Sequence, residues 1–490
     1  MFNKLTNFLR AQYSHFGFQE VITPTIYKKS LWEKSGHWEN YKDDMYSVTG
    51  RGATGQKEGK EIQEDEEYGL KPMNCPGHCL IFASKNRSYR EMPVRYADFS
   101  PLHRNEIHGA LSGLTRVRRF HQDDGHIFCR PSQIGEEISQ TLEFVRMVYQ
   151  TLGLGPYRLT LSTRPKESYI GTVEEWDRAE GVLAKALDES GQPWTINEGD
   201  GAFYGPKIDI ILKDSDGKEH QTATIQLDFQ LPQRFELEYQ APAPELEKKG
   251  ITTTDPEELN VSGPVTPVLI HRAVLGSVER LMALLIEHYN GKYPFWLNPR
   301  QAILITVNDE EAVVEYAKGL ISYIKGDAPQ QIIKIAGRHI EHPDSEIPTP
   351  NGLPWAVPIL RHDFTIDLDA SPRSLGKKIS EAKRKRYGVI MVVGKKNVDK
   401  NIDVDLSGIP DPHGWVLESA SALAGNLLKA KDSQHVGERK AIDPLVEVDG
   451  KAVEDGSRPP PKLEPHQLKA LSFTPHRLAQ LFFGMDRNYV

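Results

Sequence analysis

A stretch of alternating polar and apolar side chains lies between residues 101 and 129. It predicts two extended arms joined by a loop of small residues at 109–113. The period of a strand places one set of side chains on the same face of the second arm: Arg116, Arg118, Phe120, Gln122, Asp124, His126 and Phe128. A core face would not carry guanidiniums, a carboxylate and an imidazole, and a solvated face would not need two phenylalanines. The pattern therefore predicts a floor for an anionic, planar ligand, to which the first arm adds Arg104 and Glu106.

The chain before this hairpin predicts two helices and an edge strand. Apolar residues at helical spacing indicate a helix over 2–16. The segment 20–26 is typical of a strand, which Pro24 restricts to the border of a sheet because proline donates no ladder hydrogen bond. Pro76 favours the first position of the second helix, which would place Cys75 just before that helix with its side chain aimed into a pocket.

The chain after the hairpin predicts two domains. Helices and strands are expected in the first domain at 131–152, 157–162, 173–190, 207–213, 219–230 and 264–270, followed by a helix with Arg280 on its first turn. The pattern changes at 294–298, after which buried strands alternate with helices as in a small α/β domain. We therefore expect domains at 1–298 and 299–490.

Four segments resemble neither helix nor strand. Insertions are expected near 50–67, 241–263 and 326–361, and disorder is expected over 430–467. The 241–263 segment is rich in Pro, Glu and Thr and is predicted to have nothing to bury.

Composition narrows the class of protein. The 490 residues are 38% hydrophobic and 26% charged, as in a globular protein with polar insertions, and no apolar run approaches the roughly 18 residues that span a bilayer. Three cysteines cannot build a disulfide framework, which indicates a reducing compartment. The net charge of -8 argues against indiscriminate coating of nucleic acid. The acid-poor, basic start allows two interpretations, an organelle presequence or the buried face of a first helix.

Three arginines, Arg104, Arg116 and Arg280, form a candidate anion-binding set. A guanidinium grips phosphate oxygens through two hydrogen bonds, and three together would clamp a triphosphate and stabilise its in-line displacement. The sequence contains no GxxxxGK[ST] motif, so a P-loop ATPase is excluded. Taken singly, an arginine is more often the partner in a surface salt bridge.

One thiol and two imidazoles, Cys75, His126 and His271, form a candidate metal set. Three protein ligands leave the fourth position of zinc open, which is typical of a reactive site. The three residues are far apart in the sequence, so their spacing alone leaves the site open, and a buried cysteine is more often a small core residue.

Several motifs resemble those of class II threonyl-tRNA synthetases, most closely the fungal mitochondrial members. The strand with Pro24 is similar to motif 1, LHRNE…RVRRFHQDD to motif 2 and GSVER to motif 3. NCPGH, QDDGHIFC and IHRA are similar to the threonine-specific sequences that carry the zinc ligands of the family. The resemblance covers residues 2 to about 406. It implies an α+β fold, in which an antiparallel sheet flanked by helices bears the active site and a smaller α/β domain binds the anticodon.

The resemblance also implies roles for the hairpin residues. Arg104 would hold the α-phosphate of ATP and Arg280 the γ-phosphate, with assistance from Arg116 and from Mg²⁺ bound with the ATP. Glu106 would read the amino group of adenine, and Phe120 would stack on its ring.

The amino-acid pocket follows from the same resemblance. Zn²⁺ on Cys75, His126 and His271 would bind the amino and hydroxyl groups of threonine, and Asp124 would accept from that hydroxyl. Four further residues match positions that line the pocket: Gln122, Tyr204, Lys207 and Gln221. His37 matches a histidine that meets the terminal ribose of tRNA during transfer.

Partners and location are likewise implied. The substrates would be threonine, ATP and tRNA(Thr), the protein a homodimer without a membrane, and the compartment the mitochondrial matrix, with the cytoplasm as the alternative. Fuller members of the family carry an N-terminal domain that hydrolyses seryl-tRNA, which this chain is expected to lack. At 370–376 the chain departs from the anticodon-binding pattern, and the basic helix that follows is either a path for a phosphate backbone or a solvated face.

Two other function classes compete with a ligase. A non-catalytic relative that binds tRNA as a regulator or accessory subunit should lose the arginines or the metal ligands, and Arg104, Arg280, Cys75, His126 and His271 are all present. A zinc hydrolase would need a general-base glutamate beside a metal-bound water, and the sequence has no HExxH-like pair.

Overall fold

The structure is a computed structural model in which the described residues are 1–48, 67–167, 169–214, 217–325, 333–335, 338–340, 364–398, 401–410, 416, 420, 468 and 471–487. They form two compact units, of which one contains Phe2–His288 and the other Tyr289–Val490. The unit boundary precedes the expected one at 298 because Phe295 packs on Phe364 and Phe482 of the second unit, with ring centroids 5.9 and 4.9 Å away. The segment predicted to be disordered at 430–467 lies outside the described residues, as do nearly all of 50–67 and most of 326–361.

The first unit contains fourteen strands among its described residues. They are β1 (Gln19–Glu20), β2 (Ile26–Lys28), β3 (Ser47–Val48), β4 (Tyr68–Leu70), β5 (Val94–Asp98), β6 (Pro101–His103), β7 (Arg119–Cys129), β8 (Arg158–Ser162), β9 (Trp194–Asn197), β10 (Lys207–Lys213), β11 (Glu219–Asp228), β12 (Tyr239–Pro242), β13 (Ser262–Val265) and β14 (Val268–Ser277).

Its helices surround these strands. They are α1 (Phe2–Tyr13), α2 (Lys29–Lys34), α3 (His37–Tyr41), α4 (Cys75–Ala83), α5 (Ile134–Thr151), α6 (Val173–Glu189), α7 (Gln230–Arg234), α8 (Pro244–Glu247), α9 (Pro256–Leu259) and α10 (Val278–Tyr289). Short 3-10 turns occur at Lys42–Asp44, Tyr89–Glu91, His108–Ala110 and Pro131–Gln133.

The main sheet of this unit has the order β1-β5-β7-β14-β11-β10-β8-β9, with β6 paired to β7. Its interior pairs are antiparallel, and one parallel pair lies at each edge, β1 with β5 and β8 with β9. Helix α5 packs on β11 and β14, and α6 packs on β8. The long central strand β7 belongs to the hairpin that the alternating pattern predicts. The fold is thus α+β, with the expected sheet at its centre.

The strand predicted at 20–26 is interrupted. β1 ends at Glu20 and β2 begins at Ile26, and between them the amide of Thr23 donates to the side chain of Asp98 (3.0 Å) instead of to a strand. Pro24 has no amide hydrogen to continue a ladder. The segment does lie at the border of the sheet, as expected, because β1 pairs only with β5 among the described strands.

The insertion at 241–263 contradicts the expectation that it buries nothing. It folds as β12, α8, α9 and β13, and its Glu247 is only 4% exposed. Both carboxylate oxygens of Glu247 accept from Arg130 (2.6 Å each), and one also accepts from Tyr239 (2.7 Å). A buried carboxylate with three charge-assisted or hydroxyl donors is a stable anchor. The composition of this segment is typical of a solvated loop and therefore gave no indication of the buried carboxylate.

The second unit contains a smaller sheet in the order β18-β15-β19-β20-β21. The strands of that sheet are β15 (Ala302–Thr306), β18 (Ile366–Asp369), β19 (Val389–Val393), β20 (Ile402–Asp405) and β21 (Leu471–Phe473). A separate two-stranded sheet consists of β16 (Ile333–Ile335) and β17 (Arg338–Ile340). The helices of the second unit are α11 (Glu311–Lys325), α12 (Leu375–Arg384) and α13 (Pro475–Arg487). β15 pairs in parallel with β18 and β19, and β20 and β21 extend the sheet in antiparallel fashion, which gives the expected α/β layer.

Candidate active site

A cavity of about 230 Å³ lies above the start of β7 and is lined by the predicted arginines. Its walls also include Glu106, Phe120, Gln122 and Gln221, together with the turn at Gly276 and Ser277. The predicted anion-binding residues therefore come together in space although they span residues 104 to 280.

The three arginines of this cavity repel one another. The pKa of Arg280 is lowered by burial and then by the nearby charges of Arg104 and Arg116. Backbone carbonyls hold Arg280 in place, since its Nε donates to Thr115 O (2.9 Å) and its Nη1 to Gln221 O (3.1 Å). Glu106 offsets only part of this positive charge, so a bound polyanion would relieve the repulsion that remains.

The structure gives two of the predicted ATP residues a partner inside the protein. Glu106 accepts from Arg116 Nε at 2.8 Å and forms a 2.7 Å ion pair with its Nη2. The Arg104 guanidinium lies 5.0 Å from the centroid of the Phe120 ring, a cation–π distance. Glu106 and Phe120 therefore line the cavity with partners of their own: the carboxylate of Glu106 is paired with Arg116, and the ring of Phe120 is in contact with Arg104.

The predicted metal residues lie at the other end of β7. Cys75, His126 and His271 are buried, and their ligand atoms all lie within 4.8 Å of one another. His126 Nε2 and His271 Nδ1 face each other at 2.9 Å, because His126 and His271 are register partners on β7 and β14. Cys75 is the first residue of α4 rather than the residue before it, and Pro76 takes the second position. Burial raises the pKa of the Cys75 thiol and lowers the pKa of His126.

The outer nitrogens of both imidazoles have partners of their own. His271 Nε2 lies 2.8 Å from Asp228 Oδ2, and His126 Nδ1 lies 2.8 Å from His78 Nδ1. Histidines that bind a metal usually donate their second nitrogen to a carboxylate or another acceptor, which fixes the tautomer. A thiol and two oriented imidazoles are the donor set that zinc prefers, so the residues present fit this ion.

The predicted threonine residues divide between the two sites: Gln122 and Gln221 line the arginine cavity, whereas Lys207 lies in the same row of the sheet as the two histidines. His126, His271, Gln226 and Lys207 occupy one row across β7, β14, β11 and β10. The ring of Tyr204 lies 5.3 Å from that of His271, and its hydroxyl donates to Gln226.

Acidic groups hold the other side chains of the pocket. Lys207 forms ion pairs of 3.2 Å with Asp200 and Asp209, and Gln221 also donates to Asp209. Asp124 is register partner of Ala273, one row nearer the arginines, and burial raises the pKa of its carboxyl group.

His37 is buried beneath this pocket at the start of α3. Its Nδ1 lies 2.8 Å from Ser35 Oγ and its Nε2 lies 3.2 Å from the sulfur of Met73. Burial lowers the pKa of His37 to about 4, with smaller contributions from His271 and from arginines such as Arg104. The ring is therefore neutral at physiological pH and can accept a proton.

The opposite face of β7 carries a buried ion pair that the sequence interpretation missed. Arg272 Nη1 donates to Asp123 Oδ2 (2.6 Å), and the guanidinium lies 4.2 Å from the Phe18 ring centroid. A Cβ on Gly125 would come within 2.4 Å of Arg272 Nε, so only glycine fits there. This pair supports the strand from behind, directly under His126.

Other missed residues act through the predicted ones. Asn74 Nδ2 donates to Asp124 Oδ2 (3.0 Å), and Asp228 and His78 contact the two metal-set histidines. Asn74 and His78 lie inside NCPGH, and Asp228 is the last residue of β11, so the motif was the only sequence signal for any of them.

Comparison with known proteins places this geometry in a family. The family described as "tRNA synthetase class II core domain (G, H, P, S and T)" matches residues 58–289. The "Threonine--tRNA ligase, mitochondrial" of Saccharomyces cerevisiae is 46% identical over 408 residues, which are 81% of this chain and 78% of that protein. The "Probable threonine--tRNA ligase, mitochondrial" of Schizosaccharomyces pombe is 47% identical over 405 residues, 82% of this chain and 77% of that protein. The chain belongs to the threonyl-tRNA synthetase family.

A solved structure agrees with this assignment. The chain titled "Crystal Structure of the RNA binding domain of Threonyl-tRNA synthetase from Cryptosporidium parvum Iowa II" is 42% identical, with a TM-score of 0.65, and the match covers 83% of this chain and 84% of that one. Relatives named cytoplasmic also match, from Dictyostelium discoideum and Caenorhabditis elegans. Within the described part of the chain, no helix combines the length and the apolar character that a bilayer crossing requires.

Proposed function

We propose that this chain is a threonine–tRNA ligase that forms threonyl-adenylate from threonine and ATP with Mg²⁺, and then charges tRNA(Thr). One observation carries the proposal in a chain of this family. A single strand, β7, joins the arginine-lined cavity to the cluster of Cys75, His126 and His271. An enzyme that couples a nucleotide to an amino acid needs both sites in line.

The arginine cavity performs the first step. An oxygen of the threonine carboxylate attacks the α-phosphorus, and the bond from that phosphorus to the bridging oxygen of pyrophosphate breaks. Arg104 holds the α-phosphate and Arg280 the γ-phosphate, with Arg116 assisting, and their fixed positive charge stabilises the charge that develops in the transition state. Glu106 and Phe120 contact the adenine.

Cys75, His126 and His271 would hold Zn²⁺, which when bound supplies coordination sites for the amino and hydroxyl groups of threonine. Asp124 accepts a hydrogen bond from the hydroxyl group of threonine, and Asn74 orients that carboxylate through its 3.0 Å hydrogen bond. Gln122, Tyr204, Lys207 and Gln221 complete the walls of this pocket. Because the site satisfies the hydroxyl, we expect rejection of valine by ~10⁴ or more, whereas serine lacks only a methyl group worth roughly 1–3 kcal/mol.

His37 serves the second step. A ribose hydroxyl at the end of tRNA attacks the threonyl carbonyl carbon, AMP leaves, and the hydroxyl proton must be taken up. Because the pKa of His37 is about 4, its imidazole is neutral at pH 7 and carries a lone pair that can take this proton transiently and pass it on to solvent.

Assembly and location belong to the same proposal. Ile22 is 84% exposed beside the border strand β1, which supports a homodimer formed along this edge. The names of the fungal relatives support the mitochondrial matrix.

Threonine-dependent exchange of pyrophosphate into ATP tests the ligase. We expect exchange with threonine that is lost after prolonged chelation and restored by Zn²⁺. Absence of exchange in zinc-loaded protein would contradict the ligase. Exchange that is indifferent to His126→Ala would contradict the role of the cluster but not the ligase.

A further inference from the structure

The outer partner of His126 is a second buried histidine, which none of the roles above uses. His78 lies on α4, one turn after Cys75, and its side chain is fully buried, as is that of Asp98 at the end of β5. His78 Nδ1 lies 2.8 Å from His126 Nδ1. Its other nitrogen, Nε2, faces Asp98 Oδ2 at 3.7 Å and has no hydrogen-bond partner among the described residues.

These polar groups form a line through the cluster, in which every contact except the 3.7 Å approach of His78 to Asp98 lies within hydrogen-bond distance. Asp98, His78, His126, His271 and Asp228 follow one another, with the ring-to-ring contacts at 2.8 and 2.9 Å and the last contact at 2.8 Å. A neutral imidazole has one donor and one acceptor nitrogen, so the position of one proton along such a line determines the next.

Cation binding requires one particular placement of the protons on the nitrogens of these three imidazoles. Asp228 is a carboxylate, so it accepts from His271 Nε2 and leaves the lone pair on His271 Nδ1. His126 presents a lone pair from Nε2 only if its proton lies on Nδ1. That proton must then be donated to His78 Nδ1, which places the proton of His78 on Nε2, where it faces Asp98.

Asp98 is held by its neighbours with its carboxylate facing that N–H group. Its Oδ2 already accepts from the Thr23 amide (3.0 Å) and hydroxyl (2.7 Å), and Lys71 Nζ lies 3.8 Å away. A carboxylate in such a network stays ionised and attracts an N–H, and it repels an imidazole lone pair. Asp98 therefore favours the arrangement in which His126 Nε2 is free for a cation.

We propose that His78, oriented by Asp98, is a positioning residue that sets the tautomer of His126 and thereby presents its Nε2 to zinc. The inference rests on the proposed function, because it assumes that Cys75, His126 and His271 bind the ion. Removing an outer-shell partner of a metal-binding histidine usually lowers metal affinity about 10- to 100-fold.

Two variants at position 78 separate positioning from packing. His78→Leu keeps an apolar side chain of similar reach and has no acceptor for the His126 N–H. His78→Asn places an amide oxygen near the position of Nδ1 and so retains the acceptor. His220→Leu is the matched control, since it breaks an imidazole–carboxylate pair of 2.7 Å with Asp214 in the same unit and away from the cluster.

The measurements are the zinc dissociation constant by chelator competition and the visible spectrum of the Co²⁺-substituted protein. We expect His78→Leu to weaken zinc binding about 10- to 100-fold and to shift the Co²⁺ d–d bands. His78→Asn and His220→Leu should keep the wild-type spectrum and stay within about threefold of wild-type affinity. A folded His78→Leu protein with wild-type affinity and spectrum would overturn the inference, as would His78→Asn behaving like His78→Leu. Wild-type protein that binds no zinc, or whose zinc survives Cys75→Ala, would instead overturn the proposed zinc centre.

Discussion

The two ends of β7 solve different binding problems. At the arginine end, three arginines and one carboxylate, Glu106, line an open cavity, in which burial and the charges of Arg104 and Arg116 lower the pKa of Arg280. At the cysteine end, every imidazole of the cluster has a fixed neighbour and the side chains are buried. Under the proposed function, the repulsion in the first arrangement is relieved only while a polyanion is bound, whereas the second arrangement would retain a zinc ion. In that proposal, a substrate that binds and leaves is matched by charges without full partners inside the protein. An ion that stays bound is matched by ligands whose other atoms already have partners.

The largest effect is expected at the arginine end. Arg280→Ala should lower the rate of adenylate formation by about 10³, because a preorganised charge at the developing phosphate charge is lost. Single-turnover formation of threonyl-adenylate measures this. Arg158→Ala, which removes an exposed arginine paired with Glu219 at 2.9 Å, should have no effect. A loss of less than about fivefold in Arg280→Ala would mean that this end does not hold the reacting phosphates.

A smaller loss of rate is expected for an arginine whose charge is already neutralised by a neighbouring carboxylate. Arg116 is 53% exposed in its side chain and paired with Glu106, so Arg116→Ala should lower exchange only about tenfold. The same single-turnover assay ranks it against Arg280→Ala. If Arg116→Ala is the more damaging of the two, exposure and pairing do not determine which arginine acts.

The cysteine end should respond through affinity for threonine rather than through nucleotide binding. Asn74→Ala removes the donor to Asp124 and should raise the KM for threonine roughly tenfold, with the KM for ATP unchanged, because an orphaned buried acceptor costs about 1–3 kcal/mol. Pyrophosphate exchange at varied threonine and ATP measures both constants. Equal changes in both KM values would show that the two ends of β7 are not separable in this way.

The last prediction concerns stability and its dependence on pH rather than binding or catalysis at either end of β7. The pKa of His37 is about 4 in the folded protein, against about 6.5 for an unperturbed histidine. The unfolded state therefore binds the proton more tightly, and stability falls as pH drops from 6.5 towards 4, by about 3 kcal/mol for this residue. Urea unfolding at pH 7 and pH 5 should show a smaller pH-dependent loss in His37→Gln than in wild type. An identical loss in both proteins would exclude His37 as a source of this dependence.

Local pattern was sufficient for several elements. Helix α1 follows from apolar residues at helical spacing, and Leu5 and Leu9 are fully buried. The alternation along β7 correctly placed Phe120, Asp124 and His126 on one face, where they meet the cavity and the cluster. In contrast, the 241–263 insertion was misjudged, because its anchor depends on Arg130, a residue more than a hundred positions away.

The sequence by itself predicted which residues would carry the proposed chemistry, since Arg104, Arg280, Cys75, His126 and His271 all stand in the motifs. Only the tertiary structure decided which other residues hold these side chains in place. His126 meets His271 across β7 and β14, Asp228 reaches His271 from β11, and Arg272 supports β7 from behind through Asp123. The reason is physical: a period of two tells which face a side chain takes, whereas strand register, fixed by the packing of the whole sheet, decides which side chain lies opposite.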